Sequence, residues 1–226
     1  MKCTAKVFLL TSEWSDVEGQ TVLTYYGRSP KLGPVEIVIN NFKCSFMVLS
    51  SIELPELNCK FSRKSPSIQS FHGEAVDSLI FNSYNDARSA ADRLKMAGIQ
   101  TFEADIKPNE RFLMENFING QLAVHGVAEK KGKLVSFTNP AIKPCEVNTE
   151  LRIASFDIEC SVPQTKGRLT TEDMAKQGVL YSIACHMSGA GGDKEICFML
   201  GEKRETRDGH LEIYPTEQGV LNAFLE

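Results

Sequence analysis

LRIASFDIEC, Leu151 to Cys160, is an apolar run that finishes in two acids. Side chains alternate along a strand, so residues two apart share a face. Leu151, Ile153, Ser155, Asp157 and Glu159 fall on one side, and Arg152, Ala154, Phe156, Ile158 and Cys160 on the other. The near-continuous apolar character is that of a strand buried on both faces, so Leu151, Ile153, Ala154, Phe156 and Ile158 are expected in a core. The two carboxylates point the same way, with Cα atoms roughly 6.5–7 Å apart. Held that close they repel, and a hard divalent cation relieves the repulsion. With no thiolate or imidazole adjacent, Mg²⁺ or Mn²⁺ fits the oxygen pair. The competing reading is a strand that has reached solvent, since Asp-x-Glu alone is common.

Outward from this stretch the chain changes character twice. Upstream, 139–150 carries two prolines and no period, which reads as a linker and sets a domain boundary near 147, giving 1–147 and 148–226. Before it, residues 3–10, 20–27, 34–40 and 44–49 read as short strands separated by Gly/Pro turn signals, a small antiparallel β unit. A strand near 77–81 precedes a helix that Ser83 caps, with Ala87, Ala90, Ala91, Leu94 and Ala97 at helical spacing and Gly98 as its stop. Residues 99–104 read as a strand. Pro108 opens a second helix, with Leu113, Met114, Phe117 and Ile118 as its apolar stripe and Gly120 past its end. Residues 122–137 read as a hairpin with KKGK at its tip. Downstream of LRIASFDIEC come a polar loop, two strands (VLYSIACHM and KEICFML) joined by SGAGGD, and a helix from about Thr216.

Composition bounds the class. The 226 residues are 42% hydrophobic and 24% charged, ordinary globular values. No apolar run reaches the roughly 18 residues that a membrane span needs, and the N-terminus lacks a secretory signal, so a cytoplasmic protein is expected. Seven scattered cysteines with no CxxC argue for reduced thiols rather than zinc or disulfides. The formal net charge of −4 excludes a simple basic nucleic-acid wrapper but not a DNA enzyme.

Three stretches resemble one family. FEADIKPNERFLMENFI, 102–118, is similar to the Asp-x-x-Pro-x-x-Arg-Phe/Tyr-Leu-Met segment of family B DNA polymerases, here Asp105, Pro108 and Arg111 to Met114. FDIEC, 156–160, resembles their first exonuclease motif, and LYSIAC with ICFMLG the next two strands of the proofreading domain. The likeness is greatest to the bacterial polymerase II branch and spans nearly the whole chain. It implies an α+β N-terminal domain followed by the first part of a ribonuclease H-like α/β exonuclease domain. It also implies a parent that is a DNA-directed DNA polymerase with 3′→5′ exonuclease, bacterial and cytoplasmic, acting in replication or repair. Asp157 and Glu159 would be catalytic residues and ligands of a two-metal Mg²⁺ (or Mn²⁺) site completed by residues outside this chain. The implied partners are a DNA primer-template and, through parts absent here, the sliding clamp; no membrane is involved. No second or third exonuclease motif and no Tyr-Gly-Asp-Thr-Asp occurs, so a truncated piece, inactive alone, is expected. Cys160 departs from the family's usual threonine, and the loop 161–178 is longer than expected, with a short helix over Thr171–Gln177 capped by Thr171.

Other features have plainer competing roles. Lys130, Lys131 and Lys133 at the hairpin tip are DNA-phosphate candidates, as are Lys60, Arg63 and Lys64; a solvated turn competes in both cases. SGAGGD lacks the Lys-Ser/Thr of a phosphate loop and reads as a turn. His72, His125, His186 and His210 show no metal spacing. Tyr25, Tyr26, Phe42 and Phe46 could stack bases but read as core. Two rival functions stand beside the polymerase: a non-catalytic single-strand-binding module, and a small self-contained metal-dependent nuclease.

Overall fold

A computed structural model describes residues 2–161, 170–190, 192–202 and 209–226. The chain divides into two compact units, Met1–Thr149 and Glu150–Glu226.

The first unit contains a closed barrel. β1 (Lys2–Val17), β2 (Gln20–Ser29), β3 (Gly33–Phe42), β8 (Gln121–Lys131) and β9 (Leu134–Thr138) pair in the order β1-β2-β3-β9-β8, and β8 returns to β1. The β3–β9 pairing is parallel and the others are antiparallel. β1 pairs with β8 through its first half and with β2 through its second. The switch occurs at a bulge where Leu10 has no partner, and such an extra residue bends a strand. Gly27 sits opposite, and a Cβ there would meet the Phe8 carbonyl oxygen at 2.4 Å, so only glycine permits this close crossing. The barrel interior is filled by alternate residues, among them Val7, Leu23, Tyr25, Val35, Ile37, Leu122, Val124 and Phe137. β1 runs to Val17, beyond the expected strand, because Glu18 and Gly19 with φ 50° and 74° turn it directly into β2. The segment 139–150, expected as a linker, holds β10 (Ala141–Pro144), paired with β8. Its Pro144 ends an edge strand, where a missing N–H is tolerated.

A second sheet follows β3 after one residue. β4 (Cys44–Leu49), β5 (Phe61–Lys64), β6 (Val76–Phe81) and β7 (Thr101–Phe102) take the order β5-β6-β4-β7. The helix α1 (Tyr84–Met96) covers one face, burying Ala87, Ala90 and Leu94 against Phe46, Val48, Leu79 and Phe81. Ser83 caps it and Gly98, at φ 72°, follows it, as the spacing predicts. Barrel and sheet are joined at this cap: Thr21 Oγ1 accepts the Tyr84 N–H at 2.8 Å and Asp16 Oδ2 the Asn85 N–H at 2.8 Å. The expected strand 99–104 shrinks to two residues, β7.

The helix α2 (Pro108–Glu115) corrects the sequence reading. Pro108 opens it, and of the expected stripe Leu113 and Ile118 pack into the barrel core while Met114 and Phe117 are exposed; within the helix the buried residues are Pro108, Asn109 and Arg111. The C-cap is Asn116, with Phe117 at φ 55°, so Gly120 is not its stop.

The second unit is a four-stranded sheet, β11 (Arg152–Cys160), β12 (Leu180–Gly189), β13 (Lys194–Leu200) and β14 (Leu211–Tyr214), in that order. The first three form an antiparallel meander and β14, which the sequence did not betray, lies parallel to β13. The helix α4 (Glu217–Leu225) packs Val220, Ala223 and Phe224 onto one face, over Ile183, Ile196 and Phe198. The short helix α3 (Thr171–Gln177) forms as expected, but Thr170 rather than Thr171 receives the Asp173 N–H. Residues 162–169 of the loop 161–178, and Gly191 in SGAGGD, lie outside the described residues.

Candidate functional site

β11 is the edge strand of its sheet, and this overturns the expectation that it is buried. Every residue from Arg152 to Cys160 is exposed, including Ile153, Phe156 and Ile158. The physical reason is partnership: β11 pairs on one side only, and α4 reaches it through a single ring contact, Phe156 to Phe224 at 5.4 Å. The alternation itself holds. Phe156 turns toward α4, so Asp157 and Glu159 share the opposite face.

That face can be built residue by residue from the register. Ser155 lies opposite His186, Asp157 opposite Ala184, and Glu159 opposite Ser182. One strand further, Glu195, Cys197 and Met199 continue these rows. An open hollow of about 600 Å³ lies against the middle of this sheet, lined by Ser155 to Asp157 of β11, Ala184 to His186 of β12 and Glu195 to Cys197 of β13, so residues of both faces border it. Ala184 is small, so the Asp157 carboxylate has no bulky side chain directly opposite it in the ladder. One Asp157 oxygen accepts the Ile158 N–H at 3.0 Å. Just past Glu159 the ladder slips, because Cys160 pairs with Leu180 and Tyr181 is left over. A bulge of this kind re-aims side chains and recurs beside active sites.

The donor set is two hard carboxylates on one exposed face, which suits Mg²⁺ or Mn²⁺ in kind. It is small in number: the described residues hold no cluster of three or more His, Cys, Asp or Glu positioned for a metal. All seven cysteines are free thiols.

The basic candidates separate. Lys130 and Lys133 are exposed at the β8–β9 turn, as read. Lys131 pairs with Glu36 at 3.4 Å, and Glu36 also accepts from Ser136 at 2.6 Å. Arg63 is structural. Its Nε donates to Asp77 at 2.6 Å, and its Nη atoms donate to the Ile52 and Ser50 carbonyl oxygens. Hydrogen bonds from Ser65, Ser50 and Arg63 hold the Asp77 carboxyl below the usual carboxylate range. Tyr25 and Phe46 are core, and Tyr26 donates to Glu13 at the surface.

The 102–118 segment has a structural purpose that apolar periodicity did not reveal. Arg111 Nη2 bonds both the carbonyl and the carboxylate of Glu103, which sits at φ 58°. Tyr25 donates to the Asn109 carbonyl at 2.6 Å, and Asn109 Nδ2 donates to Ser12 at 2.9 Å. Buried polar side chains thereby lock α2 to the barrel. Only the retention of arginine and asparagine at helix positions facing a core could have signalled it.

Comparison with known proteins bears on the whole chain. No protein-family model matches it. It is 26% identical over 201 residues to DNA polymerase II of Escherichia coli (strain K12), which covers 86% of this chain and 23% of that protein. Its fold matches that of the family B DNA polymerase from the hyperthermophilic archaeon Pyrobaculum calidifontis with a TM-score of 0.62 and 18% identity, over 89% of this chain and 27% of that one. The chain thus spans about a quarter of the length of the relatives it matches. The likeness to family B DNA polymerases, bacterial DNA polymerase II among them, stands on both sequence and fold, and is consistent with an N-terminal portion.

Proposed function

We propose that this chain is the N-terminal part of a DNA-directed DNA polymerase with 3′→5′ proofreading exonuclease, bacterial and cytoplasmic. The 1–149 unit would serve as a template-side platform, and 150–226 as the beginning of a ribonuclease H-like exonuclease domain. The observation that carries the reading is the placement of Asp157 and Glu159 on one open face of an edge strand, within a chain similar over 201 residues to DNA polymerase II.

Asp157 and Glu159 would hold Mg²⁺ or Mn²⁺, with the remaining ligands supplied by residues outside this chain. When bound, the metals supply an activated water and stabilise the departing 3′-oxygen. The rest is positioning by this chain. The β11–β12 ladder runs unbroken from Arg152 to Glu159, so the two carboxylates are fixed relative to each other. The Ile158 N–H orients one of them. The small Ala184 opposite Asp157 would leave room for a primer end. Lys130, Lys131 and Lys133 would meet template phosphates as positioning contacts, with Lys131 first leaving Glu36. Contact with a sliding clamp would fall to parts beyond this chain.

The test uses the polypeptide that the gene encodes, alongside residues 1–226. Asp157→Ala and Glu159→Ala should each slow metal-dependent removal of 3′ nucleotides from a labelled single strand by roughly a hundredfold or more, with nucleotide incorporation unchanged. Equal exonuclease rates in parent and variants would refute the site. Robust Mn²⁺-dependent digestion by 1–226 alone would refute its dependence on outside ligands and favour a self-contained nuclease.

A further inference from the structure

The sheet β5-β6-β4-β7 has one face under α1 and one face without a helix, and the second face is basic. The register puts Ser45, Ile80 and Ser62 in one row, and Met47, Ser78 and Lys64 in the next, all opposite the Phe46 and Leu79 side. Ser62 and Lys64 alternate onto this face along the exposed edge strand, and Lys60 directly precedes it. Lys43 joins them across the sheet and donates to Asn82 at 2.6 Å. Together with Ile80 they line a shallow hollow of about 340 Å³, and among the described residues no carboxylate lines it. In a chain whose net charge is −4, three lysines are gathered in one place without an acid.

Beyond Lys64 the same hairpin arm reaches out past the Gln69–Ala75 bridge to a tip at Ser70–Glu74. The tip is built, not loose. Ser70 Oγ accepts the N–H groups of His72 and Glu74, and the Gly73 N–H reaches the Ser70 carbonyl at 2.9 Å. It holds Phe71 fully in solvent, the most exposed large apolar side chain described, with Ile68 also exposed behind it. A phenylalanine held in water on an ordered turn offers a ring face on which a base can stack.

Basic edge and aromatic tip together match one chemistry: phosphates along a flexible backbone and a base with a free π-face. We propose that the arm from Lys60 to Phe81, with Lys43, is a contact surface for single-stranded DNA, on which Lys43, Lys60 and Lys64 meet phosphates and Phe71 stacks on a base. The central strands offer Ser45, Met47, Ser78 and Ile80 rather than aromatics on this face, so contact is through backbone and stacking and is indifferent to sequence. The proposal rests on the polymerase reading for its choice of DNA, and neither Asp157 nor Glu159 takes part in it.

The experiment is fluorescence anisotropy of residues 1–226 with 5′-labelled oligo-dT of twenty nucleotides at several salt concentrations. Lys60→Glu with Lys64→Glu should weaken binding about tenfold or more and lower the slope of log K against log salt by about 1.4, two contacts at roughly 0.7 each. Phe71→Ala should weaken binding about fivefold with the slope unchanged, because stacking releases no counterions. Lys31→Glu, a charge reversal at an exposed turn, should leave binding within twofold. If the lysines only guard the edge strand against pairing, the glutamates guard it equally and binding does not change, which overturns the proposal. Failure of the parent chain to bind oligo-dT overturns it too. Binding that survives all arm substitutions removes the arm and spares the polymerase reading. Arm-dependent binding in a protein whose full-length form incorporates no nucleotide does the reverse.

Discussion

Phe46 and Phe156 stand at the middle of strands with the same alternating pattern, yet Phe46 is 2% exposed and Phe156 57%. The difference is whether the chain supplies a cover. β4 has a strand on each side and α1 across its face. β11 has one neighbouring strand and, from α4, one tilted phenylalanine ring. Alternation states which side chains share a face; it does not state what lies against that face. The sharpest way to break the comparison is to truncate both. Phe46→Ala should cost about 3–5 kcal/mol in urea unfolding, while Phe156→Ala should cost under about 1 kcal/mol. Equal losses would mean that β11 is covered in solution.

The thiols sharpen the same contrast. Cys44 is buried in the second-sheet core, and burial pushes its thiol up to about 11. Cys160 is exposed at the end of β11. At pH 8 alkylation by iodoacetamide, followed by peptide mass spectrometry, should label Cys160 roughly a hundredfold faster than Cys44. In urea sufficient to unfold the first unit the two rates should converge. Comparable rates in the native protein would show that the 44–49 strand opens readily.

What the sequence disclosed follows the same physical line. Features fixed by neighbours along the chain were legible: the Ser83 cap and Gly98 stop of α1, the Lys131–Leu134 turn, and the shared face of Asp157 and Glu159. Features fixed by distant partners were not. β14 pairs in parallel with β13 and has no hairpin turn to announce it. Apolar spacing finds only Leu113 and Ile118 of the α2 face, because Asn109 and Arg111 enter the interior through hydrogen bonds to Ser12 and Glu103, which hydrophobic periodicity does not register. Lys131 meets Glu36 from 95 residues away. For the acidic site, then, direction was readable and environment was not.

Two carboxylates extend the comparison to pH. Asp77 accepts from Ser65, Ser50 and Arg63, and Asp173 from the Thr170 hydroxyl and N–H; both are held below the usual carboxylate range. A lowered folded pKa means that the stabilisation is complete above the unfolded value of about 4 and disappears as pH falls through the folded value. Hydrogen exchange of the β5–β6 amides should therefore quicken as pH falls below about 4 beyond the intrinsic trend, and Asp77→Asn should abolish that excess. The corresponding Asp173→Asn change should be confined to α3, whose carboxylate has one partner residue rather than three. An Asp77→Asn protein with the parent's pH profile would show that the arm is held by Arg63 and its carbonyl contacts alone.

The smallest effect is the most controlled. Ser83 and Thr216 each accept one helix N–H, from Asp86 and Gly219, and both bonds are 3.1 Å long. Length therefore cannot distinguish them, and only access to water can. Ser83 is buried where Asp16 and Thr21 already occupy the neighbouring N–H groups of α1. In Ser83→Ala the Asp86 N–H loses its partner in a place water enters poorly, and the expected cost is about 1–2 kcal/mol. Thr216 lies at the exposed start of α4, so in Thr216→Ala water replaces the hydroxyl and the cost should be near 0.5 kcal/mol. Both are measurable as shifts in urea midpoint at constant m-value. A reversal of their order would mean that the second unit, not the first, is the more tightly closed around its helix.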